Sequence, residues 1–344
     1  MTSADVKARA AELGFDLCGV APADDFPELR YLPEWIDRGY AGSMHYLGRN
    51  ADRRADVRAI VPSARCVIAL GTVYNTERPY STERTDPSTA RIARYAWGDD
   101  YHEVIERRMD ALLAWMREEA GEPFDARAYV DTGPVQERVY AQRAGLGWIG
   151  KNTCLINMER GSWLFLSEII CSLPLEPDVA ALDQCGACRR CLDACPTGAL
   201  LEPYVLDARR CLSYLTIEIR GAIPEDQRAD VGAHAYGCDI CQDVCPWNMA
   251  PARSIDAAWQ ARPVFDGVSL AALWRTSDDD LRRGLKGSAM SRAGVKRLRR
   301  NIATAAGATR DADALAALDE WHGPACDDPL VVEHVAWARR RGAD

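Results

Sequence analysis

The chain has 344 residues, of which 48% are hydrophobic, and a formal net charge of −9. That is enough apolar material for two or three packed domains, while the acidic balance excludes a protein that coats nucleic acid uniformly and leaves room for a local basic patch. No run of about 18 uncharged apolar residues is present to span a membrane. No twin-arginine leader is seen, so the expected location is the cytoplasm.

MTSADVKARAAELG reads as an amphipathic helix stopped at Gly14, and its charges rule out the apolar centre of a signal peptide. FDLCGVAPA and ARCVIALGTVY follow as strands, the second of them buried. DDYHEVIERRMDALLAWMREEAG is a long amphipathic helix, and after it come the strand ARAYVDTG and a helix opened by Pro134. In GLGWIGKNTCLINMERGSWLFLSEIICSLPL, two apolar runs separated by Glu159, Arg160 and Gly161 predict a β-hairpin. Residues 1–180 thus read as an α/β domain with a mixed sheet. A cysteine-rich unit occupies 181–250, and 251–344 is a helical segment whose paired helices resemble HEAT repeats. The expected class is α+β.

Eight of the 13 cysteines fall between Cys185 and Cys245. A reducing compartment turns such a density toward metal or redox chemistry. CGACRRCLDACPTGAL has the C-x2-C-x2-C-x3-C-P spacing of bacterial ferredoxins, in which three thiolates grip one cubane and the fourth reaches a second. YGCDICQDVCPWN repeats the comb without its leading cysteine, and Cys211 is the natural substitute. The cross-over rule then assigns Cys185, Cys188, Cys191 and Cys245 to one 4Fe–4S cluster. Cys195, Cys211, Cys238 and Cys241 go to the other. Two zinc sites are the rival reading, but zinc explains neither the comb nor the proline after each terminal cysteine. The remaining cysteines, Cys18, Cys66, Cys154, Cys171 and Cys326, read as single buried hydrophobes.

Nucleotide chemistry finds little support. The glycines of GLGWIG follow a helix and precede a strand, the reverse of the context that cradles a pyrophosphate, and no G-x4-GK[ST] loop occurs. On residues alone Asp131 reads as the cap of the helix opened by Pro134. Arg54 and Arg94 read as surface ion-pair residues.

Taken in order, LGFDLCGVAP, RYAWGDDYH, VDTGPVQER, RAGLGWIGKN, GSWLFLSEI, the comb, DARRCLSYLTIE and YGCDICQDVCPWN give the chain an end-to-end resemblance to the epoxyqueuosine reductases. The resemblance implies a cobalamin-binding catalytic domain at 1–180, a ferredoxin-type domain with two 4Fe–4S clusters at 181–250, and a tRNA-contacting HEAT-like segment at 251–344. It implies reduction of epoxyqueuosine to queuosine at the tRNA wobble position, fed by a low-potential electron donor. Asp131 matches the family's proton donor, kept protonated by burial. Cobalamin contacts map to Arg54, Arg94, Asp131, Leu155, Leu166 and Ser213, with the corrin base-off and no protein histidine on cobalt. Asp100-Tyr101-His102 begins a D-x-H-x-x-G cobalt motif, but Ile105 replaces its glycine, so His102 reads as a helix-face residue. A reductive dehalogenase acting on a small molecule and a non-catalytic electron-transfer subunit are the alternatives.

From Leu281 to Asn301 the charges are all cationic. Such a run is commonly a solvated face. In an acidic protein it is read as an RNA surface, with Arg292, Lys296, Arg297 and Arg300 as phosphate contacts and Arg220 extending them toward the clusters.

Overall fold

The computed structural model describes residues 1–343. Helix α1 (Ser3–Glu12) opens with a capping box: the Thr2 side chain accepts from the Asp5 amide, and Asp5 accepts from the Thr2 amide at 2.7 Å. Gly14, at φ 88°, supplies the left-handed turn that sends the chain into β1 (Leu17–Pro22). Short helices α2 (Tyr31–Asp37), α3 (Tyr46–Arg49) and α4 (Ala51–Ala55) lead to β2 (Cys66–Val73). Then come β3 (Arg91–Ile92), the long α5 (Tyr101–Glu119), β4 (Ala126–Tyr129), α6 (Glu137–Arg143), β5 (Trp148–Ile149), β6 (Leu155–Ile156) and β7 (Leu164–Cys171).

The central sheet has the order β1-β2-β7-β4, and every pairing in it is antiparallel. The expected mixed sheet is therefore corrected. Among the described residues, the one parallel pairing lies elsewhere, between β3 and β10 (His234–Tyr236). Helices cover both faces of the sheet, which explains why all of β2 is buried. Ile68 and Leu70 point into a core with α1 and α5, while Val67 and Ala69 point into a second core with α6.

The predicted hairpin forms only at its tip. Asn157 and Gly161 exchange backbone hydrogen bonds at 2.9 and 3.0 Å, but β6 pairs with β5 while β7 runs into the central sheet. Asn248 causes the parting: its Oδ1 accepts from the Ser162 amide at 2.8 Å, and it sits where a Cβ on Gly161 would lie 2.2 Å away. The helix expected at Pro134 starts at Glu137, with Gln136 as its cap residue, so Asp131 caps nothing.

Each cysteine comb carries one helical turn, α7 (Arg190–Asp193) or α8 (Ile240–Asp243), with the hairpin β8 (Leu200–Glu202) and β9 (Val205–Leu206) between them. The tail comprises α9 (Leu270–Arg275), α10 (Asp278–Leu285), α11 (Gly294–Thr309), α12 (Ala312–Ala317) and α13 (Pro329–Ala343). It is no appendage. Its core is continuous with Ile92 and Trp97 of the first region and with Ile217 and Tyr236 of the cysteine unit. Residues Leu298 to Gly307 of α11 are buried without a break. No helix among the described residues is long and apolar enough to cross a membrane.

Candidate redox site and its acid cluster

Cys185, Cys188 and Cys191 line one cavity with Cys245, which arrives from the second comb. Lys151 stabilises its rim by donating to the carbonyls of Gly186 and Cys188 at 2.5 and 2.9 Å. Cys211 and Cys238 pack against a separate small core containing Leu212, Leu215 and Val231. Burial pushes the Cys238 thiol well up, and the nearby Cys211 and Cys195 add to that. Burial likewise raises Cys245 to about 11. These thiols must lose their protons to bind iron, so cluster loading is coupled to pH. Ser213 belongs to this second group, donating to the Cys238 carbonyl at 3.5 Å.

Three of the five thiols expected to stand alone have a sulfur neighbour. Cys154 lies beside Cys241, and this neighbour, ahead of burial, raises the Cys241 thiol. Cys66 and Cys171 face each other across β2 and β7 with their sulfurs 3.4 Å apart.

Arg94 is not a surface ion-pair residue. It is 2% exposed, its guanidinium lies 4.5 Å from the centre of the Trp97 ring, and its terminal nitrogens donate to the carbonyls of Thr76, Arg78 and Pro79. Its amide donates to Asp239 at 2.7 Å, which bolts the segment between Cys238 and Cys241 to the first region.

Asp131 stands at the end of β4 with φ 55°, a left-handed conformation that a residue with a Cβ adopts at a cost. Its Oδ2 accepts from the Tyr101 hydroxyl at 2.9 Å and lies 3.3 Å from His102 Nε2, and His102 Nδ1 is 2.7 Å from Asp100. Tyr101 is itself held by stacking on Phe165, with ring centres 4.4 Å apart. The expectation that burial keeps Asp131 protonated is corrected, because its side chain is 47% exposed. Partial desolvation works to raise its pKa, but the hydrogen bonds from His102 and Tyr101 outweigh it and hold the carboxyl below its ordinary range. The ring beside it moves the other way: burial opposes the charge on His102, while Asp131 and Asp100 overcome that and raise its pKa. His102 is thus a partner of Asp131 and more than a helix-face residue.

Two further carboxyls lie behind Asp131. Glu137 Oε1 accepts from the Asp131 amide at 2.7 Å, and burial, with the Asp131 charge second, raises its pKa to about 8. Glu168 is 1% exposed, and neither of its carboxyl oxygens has a partner. Burial, then Glu137 and Asp131, raise it well above 4.5. It interrupts the apolar run LFLSEIIC, the signal that could have marked it. Arg54 faces this pair, donating to the Val135 carbonyl at 3.3 Å with a buried, unpartnered Nε. Leu166, on β7, and Leu155, on β6, join the core on the same α6 side of the sheet.

The basic window divides. Arg300 is fully buried and donates to the carbonyls of Leu215, Ile219 and Gly221. It cannot reach a phosphate, and its assignment as an RNA contact is corrected. Arg297 is half committed, donating to the carbonyls of Ala293 and Ile217 at 2.8 and 2.7 Å. Arg282 and Arg283 are neutralised by Asp279 and Asp280. Lys296 pairs with Asp328 at 3.3 Å and stays exposed, as does Arg220. Arg292 pairs with Glu218 at 3.0 Å and is close enough to Asp131 to help lower its pKa.

Comparison with known proteins gives this geometry its context. The family described as a 4Fe-4S double cluster binding domain matches residues 184–248, and the family described as Epoxyqueuosine reductase QueG, DUF1730 matches residues 54–132. An epoxyqueuosine reductase of Xanthomonas campestris is 41% identical over 98% of this chain and 95% of its own. A crystal structure of epoxyqueuosine reductase with an epoxyqueuosine-modified tRNA stem loop superposes with a TM-score of 0.88 at 30% identity, covering 99% of this chain and 90% of that one. The Bacillus subtilis epoxyqueuosine reductase, solved with its catalytic aspartate loop swung out of the active site, gives 0.88 at 31% identity over the same shares. With 41% identity over nearly the full length of such a relative, the chain belongs to the epoxyqueuosine reductase family of oxidoreductases.

Proposed function

We propose that this chain reduces the epoxide of epoxyqueuosine in tRNA to the alkene of queuosine, with electrons passing through two 4Fe–4S clusters to cobalamin and protons delivered at Asp131. The reading rests above all on the meeting of Cys245 with Cys185, Cys188 and Cys191, the cross-over of a two-cluster ferredoxin. The second ligand set is Cys195, Cys211, Cys238 and Cys241.

The residues around Asp131 fit a corrin. A macrocycle rimmed by amides needs polar partners, and Arg54 Nε and the Glu168 carboxyl are buried with none. Strand β4 ends opposite Glu168, which leaves the β7 backbone from Leu164 to Ser167 without a neighbour strand on that edge. Arg54, Ser213 and the backbones of Leu155 and Leu166 would hold the group. Both His102 nitrogens are engaged by carboxylates, which commits this ring to the acid cluster. Bound cobalamin would supply a low-potential cobalt centre able to reduce a C–O bond.

Epoxide plus two electrons and two protons gives alkene plus water. Because Asp131 is held as a carboxylate, it works as a relay at the exposed edge of the site: His102, charged between Asp131 and Asp100, passes it a proton that it hands on to the departing oxygen. Tyr101 fixes the carboxyl while this happens. A tRNA backbone would be met by Arg220, Arg292, Lys296 and the exposed part of Arg297. The test is Asp131→Asn, which should keep both clusters and bound cobalamin while slowing single-turnover epoxide reduction by about 10²- to 10⁴-fold. A wild-type rate would remove Asp131 from the chemistry.

A further inference from the structure

We infer that Glu137 is a positioning residue that latches the Asp131 loop, holding the aspartate in its working conformation through the Asp131 amide. The inference rests on Asp131 being the proton donor, and the test below separates the two.

Asp131 lies at φ 55°, and a non-glycine residue in this region persists only where its surroundings over-determine it. Two sets of contacts do so. At the side-chain end, Tyr101 and His102 hold the carboxyl. At the backbone end, the amide hydrogen is taken by Glu137 Oε1 at 2.7 Å. The first set reports on the carboxylate and changes whenever Asp131 gives up or gains a proton. The second does not touch the reacting carboxyl, so it can keep the loop in place through the cycle.

Glu137 is well suited to such a hold. It begins α6, whose following residues Val139, Tyr140 and Ala141 are buried in the core under the central sheet. The latch is therefore anchored in a packed core, while the loop it restrains is exposed at Asp131 and Thr132. The loop also has no slack. Thr132 donates back to the Val130 carbonyl at 2.5 Å, and a Cβ on Gly133 would lie 2.4 Å from the Tyr129 ring. A small change in how Asp131 is held must therefore move its carboxyl relative to Tyr101 and His102. Misplacement of a reacting group by about 1 Å can cost about 10²-fold in rate.

The test compares Glu137→Ala, which removes the acceptor, with Glu137→Gln, which keeps an acceptor oxygen at the same reach. Both are made in the full chain reconstituted with clusters and cobalamin, and are read by hydrogen exchange of the peptide spanning Asp131 and by single-turnover reduction. In Glu137→Ala, exchange at this loop should speed up by about 10-fold, the loss of one hydrogen bond, and the rate should fall by about 10-fold or more. Cluster content, corrin content and tRNA affinity should stay at wild-type levels. Glu137→Gln should retain most of the protection and most of the rate. Wild-type exchange in Glu137→Ala would overturn the latch, as would a Gln variant as loose as the Ala variant. Faster exchange with an unchanged rate would uphold the latch and instead remove Asp131 as the proton donor.

Discussion

Two stretches of this chain are crowded with a single chemistry, the cysteines from 185 to 245 and the cations from 282 to 300. In the first, Cys245 joins Cys185, Cys188 and Cys191 around one cavity. In the second, neighbouring cations have unrelated fates: Arg292 is exposed at an ion pair, Arg297 is tied to carbonyls, and Arg299 and Arg300 are fully buried. The difference is physical. Ligand spacing acts as a covalent ruler, because the short turns between thiols leave few geometries open. A run of cations carries no such ruler, since a long flexible side chain can reach partners far away in sequence.

The largest effect should come from breaking the ruler. Cys188→Ala and Cys238→Ala should each lose the iron of one cluster and abolish turnover, as read by iron analysis and product formation. Full iron in both variants would refute the ligand sets. Next, Arg300→Gln should behave as a core mutation. It leaves the carbonyls of Leu215, Ile219 and Gly221 short of a donor, at about 1–3 kcal/mol for each buried group left unsatisfied, and chemical denaturation should show a loss of at least about 2 kcal/mol. The salt dependence of tRNA binding should not respond to it.

The exposed cations should give the complementary result. Replacing Arg220, Arg292 and Lys296 with Gln should weaken tRNA binding and flatten its log–log salt slope by about 0.7 to 0.9 for each phosphate no longer neutralised. Melting temperature should stay close to wild type, and the saturated rate should change only as far as the loss of Arg292 releases the depressed pKa of Asp131. An unchanged slope would leave these residues as a solvated face.

The smallest effect concerns Glu168. Its carboxyl is raised in the folded chain, so the folded state holds a proton that the unfolded state releases. Its contribution to stability is complete below the ordinary value of 4.5 and is lost as pH rises through the folded value. Glu137, raised to about 8, acts in the same sense. The wild-type Tm should therefore decline from about pH 5 to about pH 8, and Glu168→Gln should flatten that decline by an amount on the order of 1–3 °C. A decline as steep in the variant would show that Glu168 is not the group that titrates.

Much of the fold was legible where the signal is local. The strands at Leu17–Pro22 and Cys66–Val73 and the helix at Tyr101–Glu119 follow from period and capping. Strand direction was not legible, because β2 is buried on both faces and its pattern carries no sign of what pairs beside it. The hairpin parts because Asn248, far along the chain, claims the turn. In the site, the cysteines were legible and the surroundings of Asp131 were not. Tyr101 and His102 meet it through the packing of α5 against the end of β4, and Glu137 reaches back six residues to its amide. Arg94 looked like a surface cation, yet three carbonyls and an aromatic cage hold it inside.

The most direct test of the account is conversion itself. The chain, reconstituted anaerobically with iron, sulfide and cobalamin, is reduced and mixed with a tRNA anticodon stem loop carrying epoxyqueuosine, and the nucleosides are read by mass spectrometry. The account predicts queuosine, one oxygen lighter, from the fully loaded protein only, with none when cobalamin is omitted or when Cys238 is replaced by Ala. Conversion that persists without cobalamin or without the second cluster would contradict it.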